Sequence, residues 1–512
     1  MTHRPAMAAR LLAVGAATLV AIALGIAAGV SWAQGPTPDV DARALALADT
    51  TGTVPVLVRM RDRPGRSELM RRADEPDDAH AVVRALRETA ALSQSGVLAE
   101  ARARGRSARS YWIANAVALE ADADLLRWLT RQTDVAAVEY DQPLVAVLPT
   151  SDGVAGAVGG VEWNVTRVGA PALWAAGYTG QGVTYAIADT GVEWQHPALK
   201  PHYRGWDGAT ATHAYNWWDA VHSQIGASAN RCGYSAAAPC DDYGHGTHAL
   251  GIGVGDDGAG NQVGVAPGAK WIACRNMDNG VGRPSTYIEC LQFFAAPWDA
   301  TGHNPDVGRR AHVISNSYGC PASEGCTSES LRLAVEGVRA LGIAVVVSAG
   351  NYGLQCGTVQ DPPAIYASAF SVGATDSSDA MASFSSRGPV TVDGSGRIKP
   401  DVVAPGVGIR SSWLGDAYTL LSGTSMAAPH VAGAVALLWS SHPVLTRDVD
   451  NTENALRRGA VHVGLTQVCG GETLGSWPNN VAGYGRLDVQ AASDLVDWIL
   501  SMRRMRLPLV AR

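Results

Sequence analysis

Three short stretches of this chain carry the side chains that together turn a serine hydroxyl into a nucleophile. Asp189-Thr190-Gly191 closes the apolar run Val183 to Ala188, and His245-Gly246-Thr247-His248 follows. Ser425 lies inside Gly423-Thr424-Ser425-Met426-Ala427-Ala428-Pro429-His430. An unassisted hydroxyl attacks poorly: an imidazole must take its proton, and a carboxylate must fix the imidazole's tautomer and stabilise its cation. Alone, Asp189 reads as a turn residue and Ser425 as a helix N-cap. Their company, and the chain order Asp, His, Ser, gives them a joint chemistry.

With these motifs the chain resembles the subtilases, the subtilisin-type serine proteases, over roughly residues 163 to 495. Chymotrypsin-like enzymes run His, Asp, Ser and α/β-hydrolases Ser, Asp or Glu, His, so only the subtilisin order fits. A fourth segment, Val345-Val346-Val347-Ser348-Ala349-Gly350-Asn351, resembles the one that carries the family's oxyanion asparagine. Within the family, Gly255 to Gly258, Gly264 to Met277 and Asn316-Ser317-Tyr318-Gly319-Cys320-Pro321 look most like the bacillopeptidase F group.

The resemblance implies catalytic roles for Asp189, His245 and Ser425, with Asn351 donating its amide N–H to the tetrahedral oxyanion beside the Ser425 backbone N–H. It assigns the base to His245, with Gly246 permitting close backbone approach, and leaves His248, one turn on, a structural part. A metal site of both histidines with Asp241 or Asp242 lacks the helix motif of a metalloprotease. Ser317, Tyr318 and Gly319 would pair with substrate as an antiparallel strand. Ser348, Ala349 and Gly350 would wall the S1 pocket, which receives the residue before the cut bond. Tyr318 either shapes the more distant S4 subsite or simply packs, and no residue that can be placed at the S1 base declares a charge preference. The chemistry implied needs no cofactor. Asp256, Asp257, Asn261 and Gln262 occupy a stretch where many subtilases hold structural calcium, but Gly258 and Gly260 break the usual pattern, and a solvated glycine-rich loop reads equally well. Two rival functions use the same residues. A serine esterase is disfavoured by the motif order and by Ala427 in place of the last glycine of G-x-S-x-G. A non-proteolytic binding protein on this fold would require a lost catalytic group, and none is missing.

Positioning such groups calls for a sheet. Val183 to Ala188, Trp271 to Arg275, Ala311 to Ser315, Ile343 to Ser348 and Ser371 to Ala374 are short, nearly continuous apolar runs, as suits parallel strands covered on both faces. Between them, Tyr287, Leu291, Phe294 and Trp298 share one face of a helix expected over Pro284 to Trp298, and Thr327 or Ser328 can cap a helix that Gly342 stops. Ser425 is expected to begin a helix through Val431, Val435 and Leu438, with Pro429 in its first turn. The pattern predicts an α/β fold, a doubly wound mostly parallel sheet, over residues 151 to 495, with the reacting groups at the carboxyl ends of strands.

Residues 34 to 150 read as a separate small α+β unit of ferredoxin-like β-α-β-β-α-β order. Its strands are expected at Pro55 to Met60, Tyr111 to Leu119 and Val135 to Val145, its helices at Asp78 to Arg102 and Asp122 to Gln132. The ending Thr133 to Asp141 resembles the close of the subtilase inhibitory propeptide, which implies a folding catalyst and a product-like occupant of the cleft. A permanent accessory domain is the alternative. Self-cleavage is expected between about Val145 and Val161, where the chain turns polar and turn-rich.

The first 33 residues read as a secretory signal: Arg4 and Arg10, the apolar run Leu11 to Val30, then Ser31-Trp32-Ala33. The rival is an uncleaved membrane anchor. A formal net charge of -7 and no dense Lys/Arg stripe argue against a nucleic-acid partner. The expected partners are protein or peptide substrates and the chain's own propeptide, with the enzyme a monomer. All eight cysteines lie between Cys232 and Cys469, and four pairs suit an oxidising compartment: Cys232 with Cys240, Cys320 with Cys326, Cys274 with Cys290, Cys356 with Cys469. Residues 496 to 512 read as a short tail after the last helix.

Overall fold

Apolar runs without polar alternation need cover on both faces, and here seven parallel strands sit between helices. In a computed structural model that describes residues 37–62, 79–145, 159–226, 230–322 and 325–505, the N-terminal elements are β1 (Asp39–Val40), α1 (Ala42–Thr51), β2 (Val54–Met60), α2 (Ala79–Ser93), α3 (Ser95–Ala103), β3 (Ala108–Tyr111), β4 (Ala116–Ala121), α4 (Ala123–Leu129), β5 (Val135–Tyr140) and β6 (Leu144–Val145). The elements that build the large sheet and its site are β7 (Thr184–Asp189), β8 (Trp217–Asp219), α5 (His245–Val254), β9 (Lys270–Arg275), β10 (Met277–Asp278), β11 (Val281–Gly282), α6 (Pro284–Ala295), β12 (Val313–Asn316), α7 (Arg332–Ala340), β13 (Ala344–Ser348), β14 (Phe370–Thr375), β15 (Val402–Pro405) and α8 (Thr424–Ser441).

The large sheet runs β15-β14-β13-β12-β7-β9-β8, every pairing parallel. Strand order reverses at β7, so Asp189, its last residue, sits at the crevice where open α/β sheets place their ligands. One face carries α5 and α8, which pack on each other, and the other carries α6 and α7. Two strands escape the sequence reading: β8 is only three residues long, and β15 ends in Pro405 on the sheet's edge, where a missing N–H is tolerated. The helix expected to reach Trp298 stops at Ala295. The helix expected at Thr327 starts at Arg332, because Thr327 and Ser330 spend their hydroxyls on a preceding turn. The last helix runs Val489–Met505, so much of the expected tail is helical.

The N-terminal unit is a five-stranded sheet of order β1-β5-β2-β4-β3, with the core of that unit formed by helix and strand residues such as Ala44, Val56, Leu125 and Val138. The strand expected over Tyr111 to Leu119 is two strands, separated by a turn in which Asn115 takes φ 45°. The strand expected to run to Val145 breaks at Asp141, and β6 leaves this sheet to pair antiparallel with β11 of the large unit: Val145 opposite Val281, Leu144 opposite Gly282. The unit rests on α6 and α7. Asp141, buried, caps α6, accepting from Ser285 N at 3.0 Å and Ser285 Oγ at 2.5 Å. Glu139 accepts from Thr327 Oγ1 and Ser330 Oγ before α7. Edge strand β3 brings Arg109 and Tyr111 onto Glu289 of α6, at 2.5 and 3.1 Å, where His222 and Trp218 also donate. The apolar leader, residues 146–158 and residues 506–512 lie outside the described residues.

All four cysteine pairs expected are disulfides, with Cα–Cα separations of 5.7, 5.5, 5.6 and 5.5 Å, within the range the bond requires.

Candidate active site

Asp189 ends a fully buried strand, so its carboxylate must be satisfied locally. Oδ1 accepts from the Thr190 N–H and from His245 Nδ1, each at 2.7 Å. A carboxylate only accepts, so Nδ1 carries the proton and Nε2 is left as the basic nitrogen. Nε2 is buried and has no hydrogen-bond partner among the described residues. The imidazole approaches because Gly246 has no side chain: a Cβ there would fall 2.2 Å from the Gly191 carbonyl and 3.0 Å from Asp189 Cβ. Asp241 organises the turn before the helix. Fully buried, it accepts from Thr190 Oγ1, Tyr243 N, Gly244 N, Thr247 N and Thr247 Oγ1, tying the end of β7 to the first turn of α5.

Ser425 is the second residue of α8, in the turn whose N–H groups have no intrahelical acceptor. Pro429 lies one turn deeper than the sequence suggests, as the sixth residue of the helix. Its missing N–H frees the Ser425 carbonyl, and Ser317 Oγ takes that carbonyl at 3.1 Å. In return the Ser425 hydroxyl donates to the Ser317 carbonyl at 3.3 Å. Asn351 Oδ1 accepts from Thr424 N and Thr424 Oγ1, both at 2.9 Å, which leaves its amide N–H groups unclaimed by protein among the described residues. One cavity is bounded by Ser425 and Asn351, by Ser317, Tyr318 and Gly319 on one side, and by Ser348, Ala349 and Gly350 on the other.

The Subtilase family profile matches residues 180–483, which hold all of these groups. The chain belongs to the subtilase family. It is 36% identical over 439 residues to bacillopeptidase F of Bacillus subtilis strain 168, a match covering 81% of this chain and 29% of that protein. The chain therefore spans under a third of that relative's length. It is 31% identical over 344 residues to subtilisin E of the same organism, covering 67% of this chain and 75% of the relative. It is also 33% identical over 340 residues to an alkaline protease of Alkalihalobacillus alcalophilus, covering 66% and 74%. By family the protein is a subtilisin-type serine peptidase.

In this subtilase Asp189 ends β7, Ser348 ends β13 and Ser317 follows β12, while His245 and Ser425 stand in the first turns of α5 and α8. His248 is held apart from the chemistry: Nε2 faces the carbonyls of Ile409 and Thr419 at 3.1 Å, and burial drives its pKa down to about 3. Tyr318 packs. Its ring stacks on Tyr287 at 4.1 Å and it is almost wholly buried, although it still borders the cavity. Val145, brought in by β6, borders the same cavity. Two roles escape the sequence reading, which weighs Asp241 only as a metal ligand. Asp241 had a signal, an acidic residue a few positions before a helix start, but only the fold shows what it gathers. Asp361, buried and on the cavity wall, stands outside every motif.

The loop at residues 256–262 does not fit calcium. Asp257 Oδ1 accepts from Ala259 N and Asn261 N, and Oδ2 from Asn261 Nδ2 and Tyr418 Oη. Asn261 Oδ1 accepts from the guanidinium of Arg410, which pairs with the buried Glu162 at 2.9 Å and lies over the Tyr418 ring. A fixed positive charge stands among the oxygens an ion would need.

Proposed function

We propose that this subtilase is a secreted serine endopeptidase made as a zymogen. Ser425 Oγ attacks the substrate carbonyl as His245 Nε2 takes its proton, and Asp189 stabilises the imidazolium. The Asn351 amide and the Ser425 N–H receive the oxyanion. His245 then passes the proton to the leaving amine, and water releases the acyl group from Ser425 by the reverse steps. The observation that carries this reading is a buried, Asp189-held imidazole whose basic nitrogen has no protein partner. It stands on the helix packed against the one that bears Ser425. Fluorophosphonate labelling of Ser425, followed by a casein digest, tests it. Label without digestion indicates an esterase, and no label indicates a binding protein.

The zymogen reading rests on β6, which occupies β11 as a strand and carries Val145 to the cavity mouth. Residues 34 to 150 act as an inhibitory propeptide that leaves by a cut between about Val145 and Val161. N-terminal sequencing of active secreted enzyme checks this, and a start near Gln34 would make the unit a retained domain. Arg109 supplies the full positive charge to Glu289. Burial opposes ionisation of that carboxyl, but the hydrogen bond from His222 and the charge of Arg109 hold it below its ordinary range. Arg109→Ala leaves a buried carboxylate short of its cation, so the unit should dissociate about tenfold more readily or better. Faster disappearance of the full-length chain on a gel is the expected result.

Structural calcium has no role in this proposal. EDTA should leave the melting temperature unchanged. Arg410→Met should lower it, since stranding the buried Glu162 costs about 3–5 kcal/mol. Calorimetry with and without chelator measures both.

A further inference from the structure

Among the residues that line the cleft cavity, one bears a carboxyl group. Asp361 borders the cavity that holds Ser425, Asn351 and the Ser348–Gly350 wall, and it is 6% exposed. Its carboxylate lies against the opposite wall: a Cβ on Gly319 would come within 3.2 Å of Oδ2. The next residue, Pro362, accepts a hydrogen bond from Cys320 N at 2.8 Å, which fixes the Asp361 backbone to that wall. No arginine or lysine pairs with Asp361 among the described residues, and the one side-chain donor on it is Tyr352. Burial pushes its carboxyl upward against that hydrogen bond. Other buried carboxylates have fuller sets of partners: Asp189 has His245 and Thr190, Asp241 five donors, Asp219 the guanidinium of Arg275. A buried carboxylate with a single side-chain donor and no cation of its own has room to pair with a cationic ligand.

We propose that Asp361 sets the cleavage specificity, selecting a lysine or arginine side chain on the residue whose carbonyl Ser425 attacks. The inference rests on the peptidase reading and adds the substrate class to it. It has a consequence for maturation. No lysine or arginine occurs from Gln132 to Thr166, so the linking segment is a poor substrate for a second copy of the enzyme. Its cut must be made in cis, where tethering supplies an effective concentration of about 10⁵ M or more and offsets a poor side-chain fit.

Tetrapeptide p-nitroanilides that differ only in the residue before the cut (Arg, Lys, Leu, Phe) test the proposal on the mature enzyme. Arginine and lysine substrates should exceed leucine and phenylalanine about tenfold or more in kcat/KM. Asp361→Asn should lower the basic substrates by roughly 30-fold or more, while the leucine substrate changes little and the melting temperature shows a folded protein. Asp361→Glu should keep the basic preference. A wild-type preference for leucine or phenylalanine, or a parallel fall of all four substrates in Asp361→Asn, overturns the proposal. So does cutting of the Ser425→Ala chain between residues 145 and 161 by added wild-type enzyme. If no substrate is cleaved and fluorophosphonate does not label Ser425, the peptidase reading itself has failed and this proposal falls with it.

Discussion

Ser425→Ala should lose peptidase activity by about 10⁶-fold in kcat, the scale found when subtilisin loses its nucleophile. The fold should be untouched. The Ser425 hydroxyl makes a single 3.3 Å bond to the Ser317 carbonyl, and the reciprocal bond from Ser317 Oγ ends on the Ser425 backbone carbonyl, which alanine keeps. Secretion at wild-type yield, an unchanged melting temperature and accumulation of full-length chain are expected together. Normal processing in this variant would show that the linking segment is cut by another protease.

Asp189→Ala should cost about 10⁴-fold, and Asp189→Asn should cost clearly less. Both native hydrogen bonds, from His245 Nδ1 and Thr190 N, converge on Oδ1, and Oδ2 has no partner. A carboxamide can therefore put its oxygen where Oδ1 stands, keep the ring in its working tautomer and remove only the negative charge. Alanine removes tautomer control and charge together, leaving Nδ1 of a buried ring without an acceptor. Steady-state kinetics on one peptide substrate separates the two. If asparagine proves as damaging as alanine, the carboxamide has turned and presents N–H to the ring.

How far the site could be read in the sequence follows from how local each signal is. Asp189, His245, Asn351 and Ser425 each sit in a run of adjacent residues that names its own turn or helix start, so all four were legible. The central strands were legible too, because burial on both faces leaves an unbroken apolar run, as in Ala344–Ser348. What failed depended on distant partners. Trp217–Asp219 is a strand only because β9 lies beside it. Thr327 looks like a helix cap until Ser330 and Glu139 claim it. The break at Asp141 reflects its attachment to Ser285 across the two units. Asp241 and Asp361 carry no motif, and their meaning lies in what surrounds them after folding.

The paired bonds between Ser317 and Ser425 make the cleft wall and the nucleophile one mechanical part. Ser317 belongs to the strand end that would hold the substrate backbone, and its oxygen atoms are bonded to the very residue that attacks. Binding at this wall and turnover are therefore coupled. A substrate that draws the wall toward itself also moves the hydroxyl, so gripping energy reaches the reacting carbonyl instead of stopping at affinity. Selection for a new substrate shape at Ser317–Gly319 would then alter speed along with preference, and tolerant evolution of specificity is better served by the opposite side of the groove.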